Sequence, residues 1–482
     1  MSDTTKALSR IESILDDNSF VEIGSLVTAR ATDFNSQEKK APSDGVITGF
    51  GAVNGNPVYI YSQDASVLNG TIGEMHARKI VNLLDLALKS GTPVIGLLDC
   101  AGLRLQEATD ALYGFGKIYS KMSECSGVIP MISAVYGTCG GGLAVVLEMS
   151  DFSFMEETSA KLFVNSPNAL EGNYEEKLDT SSAKFMAESG VVDFTGDEET
   201  IASGIRDLIS ILPANYEEGQ LVDVSSTDDL NRLCENAYAN VNDPSLVLTE
   251  ISDDNMFIEV KKDFAKEMVV GFIRIDGITM GAIANRICCY DKDGKETSKF
   301  GKELTVDGAS KAADFVTFCN ALEIPIVSLT NVSGYEANVE AEKRIARAVA
   351  KLTYAFANAD VPKINVIVGD SYGSAYLAMN SKSLGADLVY AWDGVLVGVM
   401  DAESAVKIIY EDEINNASDV TGKIQEKVSE FNELNNSTLS MAKRGYVDTI
   451  IAPECTRQYL SAALEMLYGK QELRRDKKHG TI

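Results

Sequence analysis

Two distant stretches of the chain carry the same markers at the same spacing. In each, a proline opens an apolar run, a glycine follows nine residues later, and a second proline and a second glycine stand 37 and 48 residues after the first proline. An apolar run that ends in a polar glycine turn is typical of a buried strand. Four markers at identical offsets predict a duplicated fold. The markers are Pro93, Gly102, Pro130 and Gly141, and then Pro325, Gly334, Pro362 and Gly373.

Helix and hairpin signals precede the first strand of both stretches in the same order. Apolar residues at helical spacing run from Ala77 to Leu88 and from Ala309 to Cys319. Before them, Asn54-Gly55 and Asp276-Gly277 separate pairs of apolar runs, which predicts hairpins. Each half therefore predicts an α/β fold with a mostly parallel sheet. A single doubly wound domain with an extension is the alternative, and the paired offsets weigh against it.

A chain of 482 residues is longer than one ordinary core requires, so at least two domains are expected. The polar region 212–244 contains the join, which we place near residues 224–240. The predicted domains are therefore residues 1–232 and 233–482.

Charge and composition restrict the partners and the location. The formal net charge of −28 is spread along the chain and disfavours a nucleic-acid partner; the one basic cluster, residues 474–478, is short. No apolar run has the length of a membrane-spanning helix, and the first residues lack the layout of a signal peptide, so a cytoplasmic protein is expected. The eight cysteines never form CxxC, which favours reduced thiols over a zinc site.

The chain contains only two histidines, His76 and His479. Nucleophilic catalysis of the Ser/His/Asp or Cys/His type needs a well-placed imidazole, so it is not expected here. The chemistry of this chain must depend on other groups.

The glycine turns between strand and helix offer main-chain donors. The first N–H groups of a helix have no intrahelical acceptor, and glycine lets a ligand approach them closely. Two such donors from two turns can hold an oxygen that becomes negative during a reaction. The candidate donors are Gly102-Leu103 and Gly141-Gly142 in the first half, and Gly334-Tyr335 and Gly373-Ser374-Ala375 in the second.

Two other interpretations of these turns are weaker. Glycines at strand ends also permit tight turns and close helix packing, but paired occurrence at one offset favours a site. A phosphate cradle would need GxxxxGK[ST] or GxGxxG, and neither pattern is present at these turns.

Longer motifs resemble the carboxyltransferase subunits of biotin-dependent acyl-CoA carboxylases and decarboxylases, the group of propionyl-CoA carboxylase β and methylmalonyl-CoA decarboxylase α. The resemblance covers nearly the whole chain. The motifs that carry it are "DGVITGFGAVNG", "SQDASVLNGTIGEMHARKI", "PVIGLLDCAGLRLQEA", "SGVIPMISAVYGTCGGG" and the final "KKHGTI".

The resemblance implies two tandem crotonase-like domains and a homo-hexamer. In this family acyl-CoA binds the N-terminal half of one subunit and biotin binds the C-terminal half of a neighbour. The matching catalytic positions are Gly141 and Gly142 for the thioester enolate, and Gly373, Ser374 and Ala375 for the biotin ureido oxygen. Matching CoA-binding positions are Gly102, Leu103, Arg104 and Gly140, and matching biotin-binding positions are Gly334, Tyr335, Tyr372, Tyr376 and Leu377.

Some of these assignments keep structural alternatives. Arg104 matches a family arginine near the CoA channel, with a surface salt bridge on a helix as its alternative. Tyr372 and Tyr376 line the biotin slot or are core aromatics. Lys39 and Lys40 contact the CoA phosphates or are only solvated.

The family chemistry agrees with the scarcity of histidine, because carboxybiotin loses CO2 and its ureido nitrogen then takes the α-proton of the acyl-CoA. No metal is expected. The chain has no Met-Lys-Met biotinylation motif, so the biotin carrier is expected to be a separate protein. A biotin carboxylase or a membrane decarboxylase subunit is a further expected partner, and in the second case the chain would associate with the membrane surface.

Two departures from the family concern the biotin side. Ser374 stands where the family usually has glycine, and the loop "GYEANVEAEKRIAR" from Gly334 lacks the usual glycines and prolines. Leu377, at a position linked to acyl chain length, does not identify the substrate.

The function favoured by these observations is carboxyl transfer between biotin and propionyl-CoA or methylmalonyl-CoA. The first alternative is the same chemistry in a sodium-pump decarboxylase. The second is a biotin-independent hydratase or isomerase, for which Glu107 is a candidate acid or base. The third is a scaffold subunit without activity.

Overall fold

The computed structural model describes residues 5–32, 41, 43–218, 228–291, 293–472 and 480. The chain divides into two compact units, Met1–Gly219 and Gln220–Ile482. This division is based on contacts within each unit and does not test the predicted domain boundary at 232/233, which stays a prediction. Lys39, Lys40 and the basic cluster 474–478 lie outside the described residues.

The first unit is built on one sheet, and helices connect many of its strands. The sheet order is β1-β2-β3-β4-β5-β6-β8, and β7 pairs with β5. The strands are β1 Val21–Ile23, β2 Val46–Val53, β3 Asn56–Gln63, β4 Val94–Cys100, β5 Met131–Gly140, β6 Phe152–Glu156, β7 Lys161–Phe163 and β8 Phe194–Gly196. The helices are α1 Lys6–Ile14, α2 Glu74–Ser90, α3 Ala108–Cys125, α4 Gly142–Glu148, α5 Asn173–Glu176, α6 Ala183–Glu188 and α7 Glu198–Ile211.

The second unit has a sheet of order β9-β10-β11-β15-β17-β19-β21 and three two-stranded ladders, β12-β13, β14-β16 and β18-β20. Its strands are β9 Ile258–Val260, β10 Met268–Ile275, β11 Ile278–Asn285, β12 Cys288–Tyr290, β13 Glu296–Lys299, β14 Glu303–Leu304, β15 Ile326–Thr330, β16 Gly334–Tyr335, β17 Lys363–Ile367, β18 Ser371–Tyr372, β19 Leu388–Trp392, β20 Val397–Gly398 and β21 Thr449–Ile451. Its helices are α8 Pro244–Ile251, α9 Val306–Ala321, α10 Val339–Glu342, α11 Ile345–Asn358, α12 Gly373–Ala378, α13 Ala402–Ile409, α14 Glu411–Asn415, α15 Val420–Phe431, α16 Thr438–Lys443 and α17 Thr456–Leu467.

The two sheets have the same topology, so the predicted duplication is confirmed. In both, three antiparallel strands are followed by four parallel ones that continue from the last strand of the hairpin. The duplicated prolines directly precede β4, β5, β15 and β17. The predicted hairpins are β2-β3 and β10-β11, and their turns adopt positive φ at both central residues, as type I′ turns require.

The predicted helices α2 and α9 each lie against the hairpin of their own unit. In the first unit, the apolar faces of α2 and α3 form a continuous buried cluster with β4 and β5. Most residues of β4 and β5 are buried, which agrees with the nearly unbroken apolar runs that the sequence shows.

A buried lysine occupies the same position in the corresponding helices of the two units. Lys79 of α2 donates from Nζ to the carbonyl oxygens of Ser43 and Val46, and Lys311 of α9 donates to those of Lys261 and Phe264. Burial lowers the pKa of Lys79 to about 8 and that of Lys311 to about 7. In both units the ammonium group fixes the segment that leads into the hairpin.

A carboxylate clasp starts the parallel strands of both units. An aspartate directly before one strand accepts, at 2.6–2.8 Å, the N–H of a residue at the start of the neighbouring strand. The N–H of the same aspartate donates to the carbonyl of that residue. Each clasp thereby fixes the register of two strands. The clasps are Asp151 on Met131, Asp193 on Ser153, Asp387 on Lys363 and Asp448 on Val389.

Two further properties concern the described residues as a whole. Among them no helix has both the length and the apolar character needed to span a membrane. All eight cysteines carry free thiols, and six of them are buried.

The clasp predicts a specific loss of stability. Asp193 is buried and accepts from both N and Oγ of Ser153, at 2.6 and 2.8 Å. Asp193→Ala leaves the buried N–H of Ser153 without an acceptor, while the Ser153 hydroxyl keeps the carbonyl of Val191 at 3.2 Å. The variant should lower the free energy of unfolding by about 1–3 kcal/mol. Urea denaturation followed by circular dichroism measures this change. The matched variant Asp17→Ala, at an exposed residue, should stay within about 0.5 kcal/mol; equal effects of both variants would contradict the role of the clasp.

Candidate active site

Two turns of the first unit lie side by side because the strands before them are paired. β4 and β5 are parallel neighbours, and Cys100 at the end of β4 is the register partner of Cys139 in β5. The turn after β4 contains Gly102 and Leu103, and the turn after β5 contains Gly141 and Gly142. The structure thus brings the predicted donors of the first half to one end of the sheet.

Hydrogen bonding distinguishes the donors within these turns. The N–H of Gly102 donates to Sγ of Cys100 at 3.2 Å, and that of Gly141 donates to the carbonyl of Phe163 at 2.8 Å. The N–H groups of Leu103 and Gly142 donate to no acceptor within the described part of the chain. Gly102 and Gly141 therefore shape the turns, and the open donors are Leu103 and Gly142.

The direction of the Leu103 amide follows from a short parallel bridge. Ile72 donates to the carbonyl of Gly102 and accepts from the N–H of Arg104, both at 2.9 Å. In a parallel bridge the residue between these two groups points its own N–H to the opposite side. The bridge therefore leaves the Leu103 N–H directed away from Ile72.

Glycine is required in the second turn for two different reasons. Gly141 has φ +63° and ψ −129°, a conformation that side-chain-bearing residues rarely adopt. A Cβ on Gly142 would lie 2.8 Å from both Cε1 of Phe115 and the hydroxyl of Tyr119. The neighbouring Gly140, predicted to contact CoA, leaves room for the ring of Phe163, since a Cβ there would approach it to 2.9 Å.

Arg104 is not part of a surface salt bridge. Its side chain is 2% exposed, and Nη1 contacts Asp44 at 2.5 Å and Glu107 at 2.8 Å. Nη2 donates to the carbonyl of Thr71 at 2.7 Å. The guanidinium fixes the loop that carries Leu103, because the residue next to Leu103 is bound to three other segments. Arg104 therefore supports the turn, and its contact with CoA stays a prediction.

Glu107 also has a structural role in the same network. Its Oε2 accepts the N–H of Glu74 at 2.6 Å, at the start of α2, and its Oε1 is paired with Arg104. The carboxylate is therefore engaged at both oxygens. This arrangement disfavours Glu107 as the acid or base of a hydratase.

His76, the one histidine that the structure describes, has no free ring nitrogen. Nδ1 donates to the carbonyl of Asp44 at 2.9 Å, so Nε2 is the acceptor in its 3.2 Å contact with the Gln63 amide. Burial, and next the charge of Arg104, lowers the pKa of His76 to about 3. The imidazole is thus neutral and serves the buried network.

The corresponding turns of the second unit are also joined. The N–H of Tyr372 donates to the carbonyl of Val332 at 2.9 Å, and the hydroxyl of Tyr335 donates to Oγ of Ser374 at 2.9 Å. Gly334 lies in β16, and Gly373 has φ +67°, as does Gly141 within a few degrees. The structure brings the two predicted turns of this half together, and the Ser374 N–H donates to no acceptor among the described residues.

A cavity of about 770 Å³ opens beside the second turn. Gly373, Ser374, Tyr376 and Leu377 line one wall. Burial raises the pKa of Tyr376 to about 12, so its phenol is neutral. Tyr372 is half-buried outside this lining, and Ala375 is buried within the first turn of α12.

A second part of the cavity lining was not predicted. It comes from the segment between the last residue of α15 and the start of β21, which has no counterpart among the markers of the first half. A run of apolar and amide residues in 431–446 is the only signal that the sequence offers. The lining residues of this segment are Phe431, Asn435, Asn436, Met441, Arg444 and Tyr446.

The divergent loop after β15 folds into regular structure. It forms β16, the short helix α10 and the first turn of α11. Asn338 caps α10 by accepting the N–H of Ala341 at 2.8 Å. No group of His, Cys, Asp and Glu that could hold a metal ion occurs in the described ranges.

Comparison with known proteins gives consistent relatives. The carboxyl transferase domain family matches residues 4–482. A putative propionyl-CoA carboxylase beta chain of Bacillus subtilis is 38% identical, over 99% of this chain and 93% of that protein. Methylmalonyl-CoA decarboxylase subunit alpha of Propionigenium modestum is 36% identical, over 99% and 92%.

A solved structure shows the same fold. Transcarboxylase 12S, described as a hexamer with methylmalonyl-coenzyme A and methylmalonic acid bound, has a TM-score of 0.90 and 33% identity, over 99% of this chain and 92% of that chain. The expectation of two tandem crotonase-like domains is confirmed by this similarity.

The buried histidine predicts a pH dependence of stability. The folded-state pKa of His76 is about 3, below the unfolded value of about 6.5, so only the unfolded chain takes up this proton as the pH falls. The free energy of unfolding should therefore decrease below pH 6.5, by about 1–2 kcal/mol between pH 6.5 and 5 from this group.

Urea denaturation at several pH values measures this loss, and His76→Gln should flatten the slope between pH 6.5 and 5. Because the chain has only two histidines, imidazole NMR resolves them directly. One of the two signals should not titrate between pH 5 and 8; titration of both would refute the assignment.

Proposed function

The chain belongs to the carboxyl transferase family and is a biotin-dependent acyl-CoA carboxyltransferase, and we propose that it moves a carboxyl group between biotin on a separate carrier and propionyl-CoA or methylmalonyl-CoA. The relatives named for propionyl-CoA and methylmalonyl-CoA, each matched along nearly the whole chain, support this substrate class. The observation that carries the mechanism is the pair of open amides at Leu103 and Gly142.

We assign the thioester to the first unit. The N–H groups of Leu103 and Gly142 hold the thioester oxygen, which becomes negative when the α-carbon loses a proton or CO2. Preorganised amides of this kind favour the enolate over the neutral thioester, because they gain strength as the charge develops. Gly102, Gly140 and Gly141 keep the turns open, and Arg104 keeps the first turn in place.

We assign biotin to the cavity of the second unit. Its walls combine apolar side chains such as Leu377 and Val399 with the open N–H of Ser374. This lining suits the ring system of biotin, which is apolar apart from the ureido group. When bound, carboxylated biotin supplies the CO2 and the ureido nitrogen that accepts the α-proton. The Ser374 N–H would hold the ureido oxygen, and Tyr376 and Leu377 would hold the ring.

The chain itself then provides orientation and main-chain donors instead of a side-chain base. His76 has no free ring nitrogen and Glu107 is paired at both oxygens. A base supplied by the cofactor is consistent with both observations. They also disfavour the biotin-independent hydratase or isomerase.

The relatives support a proposal for the assembly and the partners. The 12S protein is described as a hexamer, and we propose a homo-hexamer for this chain. The biotin carrier is a separate protein. A biotin carboxylase partner would make the reaction synthetic, whereas a membrane decarboxylase subunit would make it decarboxylating; the similarity to methylmalonyl-CoA decarboxylase alpha keeps the second direction as a candidate.

The first experiment tests the reaction. Purified protein is mixed with methylmalonyl-CoA, malonyl-CoA or glutaconyl-CoA, with and without free biotin, and CO2 release is followed. We expect biotin-dependent turnover that is fastest with methylmalonyl-CoA. Turnover without biotin, or hydration of an enoyl-CoA, would contradict the proposal.

The second experiment tests the thioester donors. Gly142→Pro removes the N–H of residue 142 and should reduce kcat by about 10²–10³-fold, because one oxyanion donor is lost. Gly142→Ala is the matched control, since it brings a Cβ toward Phe115 and Tyr119 but keeps the N–H. The alanine variant should retain clearly more activity than the proline variant. Equal losses would show that the steric change, and not the donor, matters.

A further inference from the structure

Because the fold is duplicated, each residue of the second turn pair can be compared with its counterpart in the first unit. Leu103 and Gly142 of the first unit correspond in offset to Tyr335 and Ser374 of the second. Neither residue of the first pair carries a hydroxyl, and both residues of the second pair do. The two added hydroxyls contact each other, since Tyr335 donates to Oγ of Ser374 at 2.9 Å.

The space around the two positions also differs. A Cβ on Gly142 would lie 2.8 Å from Phe115 and from Tyr119, whereas Ser374 is exposed and lines the cavity of the second unit. In the first unit the hydroxyl of Tyr119 donates to the main-chain carbonyl of Gly142 at 2.7 Å. In the second unit a tyrosine hydroxyl binds the side chain of the corresponding residue instead.

The direction of this hydrogen bond determines what Ser374 has left to donate. A serine hydroxyl has one hydrogen and two lone pairs. One lone pair accepts from Tyr335, and no acceptor within the described part of the chain takes the serine hydrogen. That hydrogen is free to point into the cavity, near the N–H of the same residue.

We propose that the Ser374 hydroxyl is a second donor to the ureido oxygen of biotin, and that Tyr335 is a positioning residue that holds this hydroxyl in place. This inference rests on the function proposed above. The first unit has two main-chain donors, at Leu103 and Gly142; the second unit gains a side-chain donor next to the main-chain N–H of Ser374. The tyrosine fixes the serine rotamer, so less freedom is lost when the ligand binds.

The pair lies at the two expected departures from the family pattern, the serine of the second turn and the loop from Gly334. A serine in the second turn narrows the cavity, and this change would weaken binding if the hydroxyl had no partner. Because Tyr335 accompanies it in the divergent loop, the serine is oriented and contributes a hydrogen bond instead.

The experiment measures binding of biotinyl-lysine by isothermal titration calorimetry, together with kcat and KM for free biotin and for methylmalonyl-CoA. Ser374→Ala should weaken binding of biotinyl-lysine about five- to tenfold, the usual contribution of one hydrogen bond. KM for methylmalonyl-CoA should not change. Ser374→Thr keeps the hydroxyl and should bind nearly as well as the original protein.

A double variant tests the positioning role. Tyr335→Phe should weaken binding less than Ser374→Ala does, and it should have no further effect when Ser374 is already alanine. Independent, additive effects would overturn the role of Tyr335. Unchanged or tighter binding by Ser374→Ala would overturn the role of the serine, while the proposed function would stand. Absence of biotinyl-lysine binding and of biotin-dependent turnover in the original protein would overturn both.

Discussion

The account depends on main-chain amides that the fold leaves without a protein acceptor. A strand that ends in a glycine turn before a short helix exposes the first helical N–H, and the neighbouring strand exposes a second one. In the first unit the amides of Leu103 and Gly142 remain open, while those of Gly102 and Gly141 are bound. The bound amides fix the two turns, and the open amides beside them are the groups that can donate to a ligand. The chemistry then needs no side-chain base, in agreement with a chain whose one described histidine is bound at both ring nitrogens.

Rigid surroundings are what make such donors useful, because a donor that must reorganise contributes little to the transition state. Aspartate clasps fix the starts of the strands, and buried charges fix the loops at their ends. Arg104 links Asp44, Glu107 and Thr71, and so holds the residue that follows Leu103. In the second unit Tyr372 bonded to Val332, and Tyr335 bonded to Ser374, join the two turns directly. The turns are thus held by buried charges in the first unit and by tyrosine hydrogen bonds in the second.

Sequence reasoning was most successful where the signal was local. Prolines, glycines and hairpin pairs at matching offsets predicted the duplicated sheet, and the turns that carry Gly141 and Gly373 follow from the same markers. It was less successful where a residue's role depends on a distant partner. Arginine is usually exposed, so a surface position was the natural alternative for Arg104. Its partners Asp44 and Thr71 lie far from it in sequence, and its burial could therefore not be predicted. Bonding of Gly141 to Phe163 and the cavity wall of residues 431–446 were missed for the same reason.

A crystal structure with methylmalonyl-CoA, or a stable analogue of it, tests the central claim most directly. The account predicts that the thioester oxygen lies within about 2.7–3.1 Å of both the Leu103 and the Gly142 nitrogen atoms, the range of an effective oxyanion donor. A thioester oxygen bound elsewhere in the chain, or a complex in which either amide donates to a protein acceptor, would contradict it.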